Sequence, residues 1–454
     1  MRRLPELMRE LPAVADALPR MLALHARDPA RYPVLLDSAA TGGTLGRHSL
    51  LLGAPGEMLC LRRDGRLTGP GAGARFCARL NDWWRAEQGD EPPVSWPFGG
   101  GWFLYLGYEL AAEVEPTLDL PASPLEIVAC AWRMPAAILH DHSTGQSVVI
   151  GESGSEAAVE RLQADFLGVQ PGTGGEIPCP AESVVEDDPV AYLAACRRAL
   201  EHIAAGDVYQ ANLARSWRAP LPEGTAAATL YARLRAANPG AFAGIAALPG
   251  VTILSSSPER LVRVQGRRVD TRPIAGTRPR LASGDAAAIA ELIGSPKERA
   301  EHVMLIDLER NDLGRLCVAG SVKVDEFMVV ESYAHVHHIV SNVSGTLRAD
   351  VAPGDVIRAL FPGGTITGCP KVRCMQLIGE LEGVGRGAYT GAMGYLALDG
   401  SLDLNILIRT MTVCDGQIEL RAGAGIVADS DPLLELDETR AKARGLLRAL
   451  GSPD

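Results

Sequence analysis

The sequence predicts a mixed α/β protein, on two observations. Strand-like apolar runs and helix-like amphipathic segments alternate along most of the chain. A composition of 47% hydrophobic and 22% charged residues over 454 positions supplies material for a large core. Residues 1–166 read as one unit, in which 32–36 and 127–132 are strand-like and the glycines at 99–101 mark a turn. The stretch 167–187, rich in Gly, Pro and acidic residues, reads as a linker. A second region, 188–450, opens on a well-marked helix. Asp188 is its cap, Pro189 its first residue, Tyr192, Leu193, Cys196, Leu200 and Ile203 its apolar face, and Gly206 its stop. Beyond it, residues 253–254, 261–264, 339–343, 395–398 and 406–412 are strand-like.

The totals exclude several classes. A net charge of -11 without a Lys/Arg cluster argues against a nucleic-acid surface. The nine cysteines form no CxxC pair, which fits reduced thiols in a cytoplasmic protein better than zinc or a disulfide framework. No apolar run is long enough to span a membrane, and the basic first residues lack the continuous apolar core of a secretion signal.

The residues that could carry chemistry lie mostly in the second region. In the last helix Glu435, Glu438 and Lys442 share one face, while Leu436, Ala443, Leu447 and Leu450 form an apolar stripe for docking. Ser295 and Pro296 start another helix, with Glu298 positioned to close a capping box and Glu301 one turn on. Two helices that each offer a carboxylate pair suit a hard cation such as Mg2+; ordinary surface ion pairs are the alternative. Gln210 and Asn212 alternate along a strand and either face solvent or line a pocket with amides. Glu259 is a general acid if burial raises its pKa, or else the partner of Arg260. Residues 271–280 read as a rigid loop whose Arg272, Arg278 and Arg280 suit carboxylates. Residues 361–371, with Thr365, lack nucleotide-loop spacing but offer amides and hydroxyls to an anion. His335 and His337 would share one strand face and His338 the other, so at most one is expected to be functional. Gly423 and Gly425 read as a flexible turn or a close-packed bend.

In this order the stretches EHVMLIDLERNDLGR, PIAGTRPR, GAGIVADSDP and DETRAKA closely resemble the chorismate-utilising enzymes. These include the large subunits of anthranilate synthase and aminodeoxychorismate synthase, and the isochorismate and salicylate synthases. The resemblance implies two large β-sheets packed face to face with helices outside. It implies Mg2+ at Glu301 and Glu438, with Glu298 and Glu435 beside them. Arg409, Tyr395 and amides near Gly423 and Gly425 match groups that hold carboxylates. Gly276, Thr277, Thr365, His338 and Lys442 match pocket-lining positions, and Glu259 the general acid. Gln210 stands where water-using members carry a lysine base, which implies ammonia as nucleophile. Ala275 stands where many aminodeoxychorismate synthases carry a nucleophilic lysine, and resembles anthranilate synthase. YQANL, SPERL, FPGGTITG and VHHIVS resemble aminodeoxychorismate synthase component I, the activity expected here, with anthranilate synthase and a non-catalytic subunit as alternatives. No cysteine sits in a glutaminase-like context, so ammonia is expected from a separate glutamine amidotransferase subunit. Leu36, Asp37 and Ser38 resemble a tryptophan pocket.

Overall fold

The computed structural model describes residues 7–13, 17–40, 46–88, 96–171, 183–280, 285–332 and 336–451. Alternation of side chains explains its architecture. In the strand Gly101–Leu106, Trp102, Leu104 and Leu106 join one apolar cluster, while Phe103 and Tyr105 join another. In the strand Ala136–Asp141, Ala137 and Leu139 join that second cluster, and Ala136 and Ile138 a third. Both strands are therefore apolar on both faces, because each sheet is covered twice. One sheet has 12 strands and the other 11 among the described residues, and the described pairings are antiparallel. The shared cluster is the layer where the sheets face each other. Helices cover the outer faces: Leu18–Arg27, Glu156–Gly168, Ala227–Ala237 and Pro432–Ala449 on the larger sheet, Phe76–Glu87, Pro296–Gly314 and Pro353–Leu360 on the other.

The stretches on either side of the expected linker share both sheets. Val34–Asp37 pairs with Phe242–Leu248 in one, and Gly101–Leu106 with Ala392–Ala397 in the other. Of the linker, residues 172–182 lie outside the described residues, and Val185–Glu186 is an edge strand paired with Arg218 and Trp217.

The helix after residue 188 starts as expected, with the Asp188 side chain accepting from the Val190 amide. Several local expectations are corrected. Residues 271–280 are not a loop: Ile274–Pro279 is a strand beside Val336–Thr346. The arginines there are already paired, Arg272 with Glu326 and Glu331, Arg278 with Glu291 and Glu298, Arg280 with Asp285. Gly423 and Gly425 lie inside the strand Gln417–Ile426 rather than in a turn, since Gln210–Pro220 pairs along its length. Residues 406–409 are not strand; the strand begins at Thr410, after Arg409 with φ 52°.

That last point locates the site. The chain leaves the 12-stranded sheet at Ser257 and enters the other at Arg260, with Glu259 at the crossing. It returns between Asn405 and Thr410, with Arg409 at the crossing. The crossings lie side by side: the Ile406 amide donates to the Glu259 carbonyl at 3.0 Å and the Ser256 amide to the Arg409 carbonyl at 3.1 Å.

Candidate active site

Gln210 heads its strand and is buried, not exposed, while its neighbour Tyr209 points outward. Its Nε2 donates to Glu301 Oε1 at 3.1 Å, and its Oε1 has no partner among the described residues. Gly425, the cross-strand partner of Asn212, lies against this side chain: a Cβ there would come within 2.3 Å of Gln210 Nε2. Only glycine leaves room for that amide. Asn212, two residues on, donates to the carbonyl of Thr365 at 3.1 Å.

Glu259 is not paired with Arg260, whose guanidinium is held by Asp403 at 2.9 Å. Instead its carboxyl is buried, and Oε1 makes no hydrogen bond among the described residues. Burial raises its pKa to about 7, with Thr365 opposing the rise and Glu309 adding to it. The Arg409 guanidinium has no salt bridge among the described residues and senses the charges of Glu438 and Glu259; desolvation lowers its pKa. A desolvated arginine without a carboxylate partner, on a left-handed backbone, is equipped to receive an anion.

His338 is buried, and desolvation, aided by Arg409, lowers its pKa to about 4, so the imidazole is neutral. His337 on the opposite strand face accepts or donates to Ser332 Oγ at 2.7 Å, while His335 lies outside the described residues. Gly276, φ 73°, sits in a bulge between Ala275 and Thr277, and a Cβ there would meet Glu298 Oε2 at 2.9 Å. Thr277 pairs its backbone with His338.

On the two carboxylate helices each residue has its own partner. Ser295 caps its helix at the Glu298 amide, but the Glu298 carboxylate goes to Arg278 at 3.3 Å rather than back to the cap. Glu435 is buried and accepts from Ser430 Oγ at 2.6 Å. Lys442 bridges Glu438 at 2.6 Å and the Gly423 carbonyl at 3.1 Å. The chain of contacts Glu301–Gln210–Gly425 and Gly423–Lys442–Glu438 thus brings both helices to one strand end.

Tyr395 is not there. It lines a second cavity of about 500 Å³ with Leu36, Asp37, Ser38 and Arg260. Asp37 in that cavity is committed to Ser49, Tyr231 and Arg235. The tyrosine beside the first site is Tyr389: a Cβ on Gly423 would lie 2.9 Å from its hydroxyl, and its pKa, raised by burial, responds to Arg386, Glu382 and Arg409. Sequence spacing could not separate two tyrosines six positions apart, one in the turn before the strand Ala392–Ala397 and one inside it.

A family described as chorismate binding enzyme matches residues 71–448. The chain belongs to this family. Among relatives of this chorismate-binding enzyme, the anthranilate synthase component I-like protein of Synechocystis is 40% identical, covering 89% of this chain and 83% of that one. The aminodeoxychorismate synthase of Streptomyces griseus is 35% identical over 99% of this chain, which spans 65% of that protein. The crystal structure of anthranilate synthase component I from Streptococcus pneumoniae TIGR4 superposes with a TM-score of 0.79 at 28% identity, covering 90% and 93% of the two chains. The residues gathered above therefore lie in a chorismate-binding enzyme. Among the described residues no helix is long and apolar enough to cross a membrane.

The same geometry tests the fit of a hard cation. Among the described residues no three His, Cys, Asp or Glu side chains are gathered as a closed cage. Glu298 and Glu435 are engaged by Arg278 and Ser430, while Glu301 and Glu438, one carboxylate per helix, accept from the neutral Gln210 amide and the Lys442 ammonium. That donor set fits Mg2+, which takes one or two carboxylates and completes its shell with water and substrate.

Proposed function

We propose that the enzyme aminates chorismate to 4-amino-4-deoxychorismate, as aminodeoxychorismate synthase component I, for 4-aminobenzoate and folate synthesis. Gln210 carries this proposal. A neutral amide bonded to Glu301 cannot deprotonate water, so the incoming nucleophile must arrive as a free base, as ammonia does. A glutamine amidotransferase subunit supplies that ammonia in this reading; co-purification with such a subunit, and turnover on glutamine only in its presence, tests it.

Arg409, the Tyr389 hydroxyl and the amides near Gly423 and Gly425 hold the substrate carboxylates. Mg2+, held by Glu301 and Glu438 with Glu298 and Glu435 alongside, would add a fixed positive charge against the ring carboxylate. Glu259 gives its proton to the C4 hydroxyl, which leaves as water. Ammonia adds, and the proton shed by the resulting ammonium returns to the Glu259 carboxylate. Neutral His338 and the Thr365 hydroxyl line the pocket without adding charge.

A second reading, anthranilate synthase, is favoured by Ala275, a small buried side chain beside the Gly276 bulge where no lysine is present to add at C2. One incubation with chorismate, Mg2+ and ammonium decides. A product converted to 4-aminobenzoate by an added lyase, with no pyruvate released, is expected. Fluorescent anthranilate with stoichiometric pyruvate overturns the C4 assignment.

The two tyrosines give a sharper test. Tyr389→Phe is expected to raise KM for chorismate roughly tenfold, the worth of one hydrogen bond to a charged group. Tyr395→Phe should leave that KM within about twofold, because its cavity is separate. In the second cavity, where we place tryptophan on the floor made by Leu36, Asp37 and Ser38, it is the Tyr395 variant that should weaken binding in calorimetry. Equal effects of both variants on chorismate KM would contradict the division.

A further inference from the structure

Glu309 is a buried carboxylate that the mechanism above leaves unused. It lies on the helix Pro296–Gly314, with no salt bridge among the described residues. Its Oε1 would be 3.5 Å from a Cβ on Gly364, the residue before Thr365, and the Gly364 amide and Thr271 hydroxyl lie beside it. Lys371, whose charge Glu309 senses, is ion-paired with buried Asp312. Glu259, beside the Thr365 side chain, also lacks an ion-pair partner among the described residues and is sensitive to the charge of Glu309. Two buried carboxyls set against the adjacent residues Gly364 and Thr365, neither with a salt bridge among the described residues, do not both ionise at neutral pH.

We propose that Glu309 is a positioning residue for the reaction: its carboxylate, lodged against Gly364, keeps the proton on Glu259 until the substrate hydroxyl departs. This rests on Glu259 being the acid. The groups facing Glu259 are Thr365, Glu309, Arg409 and the Ile274 backbone; those facing Glu309 are Asp312, Lys371, Thr271 and the Gly364 amide, and Asp312 also senses Arg315. Burial holds both Glu259 and Glu309 near a pKa of about 7, Asp312 adding to the rise at Glu309.

The test is the pH profile of kcat for chorismate consumption at fixed free ammonia, in the full-length protein. Removing the Glu309 charge lowers the Glu259 pKa by about one unit, the smaller end of like-charge effects. The high-pH limb of Glu309→Gln then moves down, giving roughly ninefold less activity than wild type at pH 8 and less than about a twofold change at pH 6. Glu309→Met, a second neutral replacement, should shift the limb likewise if the glutamine variant does not fold, and Glu309→Asp should return it toward wild type. A limb that superimposes on wild type, or a loss equal at every pH, overturns the proposal. Glu259→Gln separates the two claims: if it retains wild-type turnover, the acid assignment falls; if it is inactive while the Glu309 limb stays put, only the role of Glu309 falls.

Discussion

Glu259→Gln is expected to lower kcat for chorismate turnover by about 10²- to 10⁴-fold, the usual contribution of a positioned general acid, while KM changes little. The amide keeps the shape of the side chain and removes only the transferable proton. In the wild type the competent form is protonated, so activity declines as pH rises through about 7. Stability depends on pH in the same direction. Burial raises this carboxyl from 4.5 to about 7 in the folded protein, so its stabilising contribution is complete below 4.5 and is lost as pH rises through 7. The glutamine variant has no carboxyl to ionise, and its stability relative to wild type should therefore improve as pH rises from 4.5 to about 7 and level off above that. Steady-state assays and denaturant melts at pH 6 and pH 8 read both effects. A variant that keeps more than about a tenth of wild-type kcat would remove Glu259 from the chemistry.

How much of this was legible beforehand differs by residue. Two-face burial follows from period-two alternation in runs such as 101–106, where each residue is apolar. The cap at Asp188 and the docking stripe of the last helix are local signals, and they hold: Leu436, Ala443 and Leu450 are buried. Ion-pair partners were not legible. Arg260 reaches Asp403, and Arg272 reaches Glu331, because antiparallel neighbours far apart in sequence decide them. The same holds for burial of Gln210, which depends on Gly425 more than two hundred positions away. A carboxylate such as Glu309 carries no local mark; its isolation from cations arises only when Lys371 is taken by Asp312. Residues 271–280 misled because Pro and Gly ordinarily end strands, whereas here Gly276 forms a bulge within one.

Arg386 shows how the site is held from behind, and its removal should be strongly destabilising. The guanidinium donates to Glu382 Oε1 at 2.5 Å and Oε2 at 3.0 Å, to the Asn212 carbonyl at 2.7 Å and to Thr390 Oγ1 at 3.2 Å. It lies over the rings of Tyr108 at 4.9 Å and Tyr389 at 5.6 Å. Its own amide and that of Gly387 donate to the buried carboxylate of Glu109, which comes from the first half of the chain. Arg386→Met leaves Glu382 without a countercharge, its side chain only 4% exposed. The cost of stranding a buried ion is about 3–5 kcal/mol, well beyond the loss of a surface pair. The partner variant Glu382→Gln strands the arginine in the same way. Combining them should cost much less than the sum, with a coupling of about 2–3 kcal/mol in a double-mutant cycle read by urea denaturation. Additive losses would mean that the two side chains act separately. Catalysis should register the change too. The strand of Asn212 and the ring of Tyr389 share this guanidinium, so KM for chorismate should rise in Arg386→Met even in protein confirmed as folded.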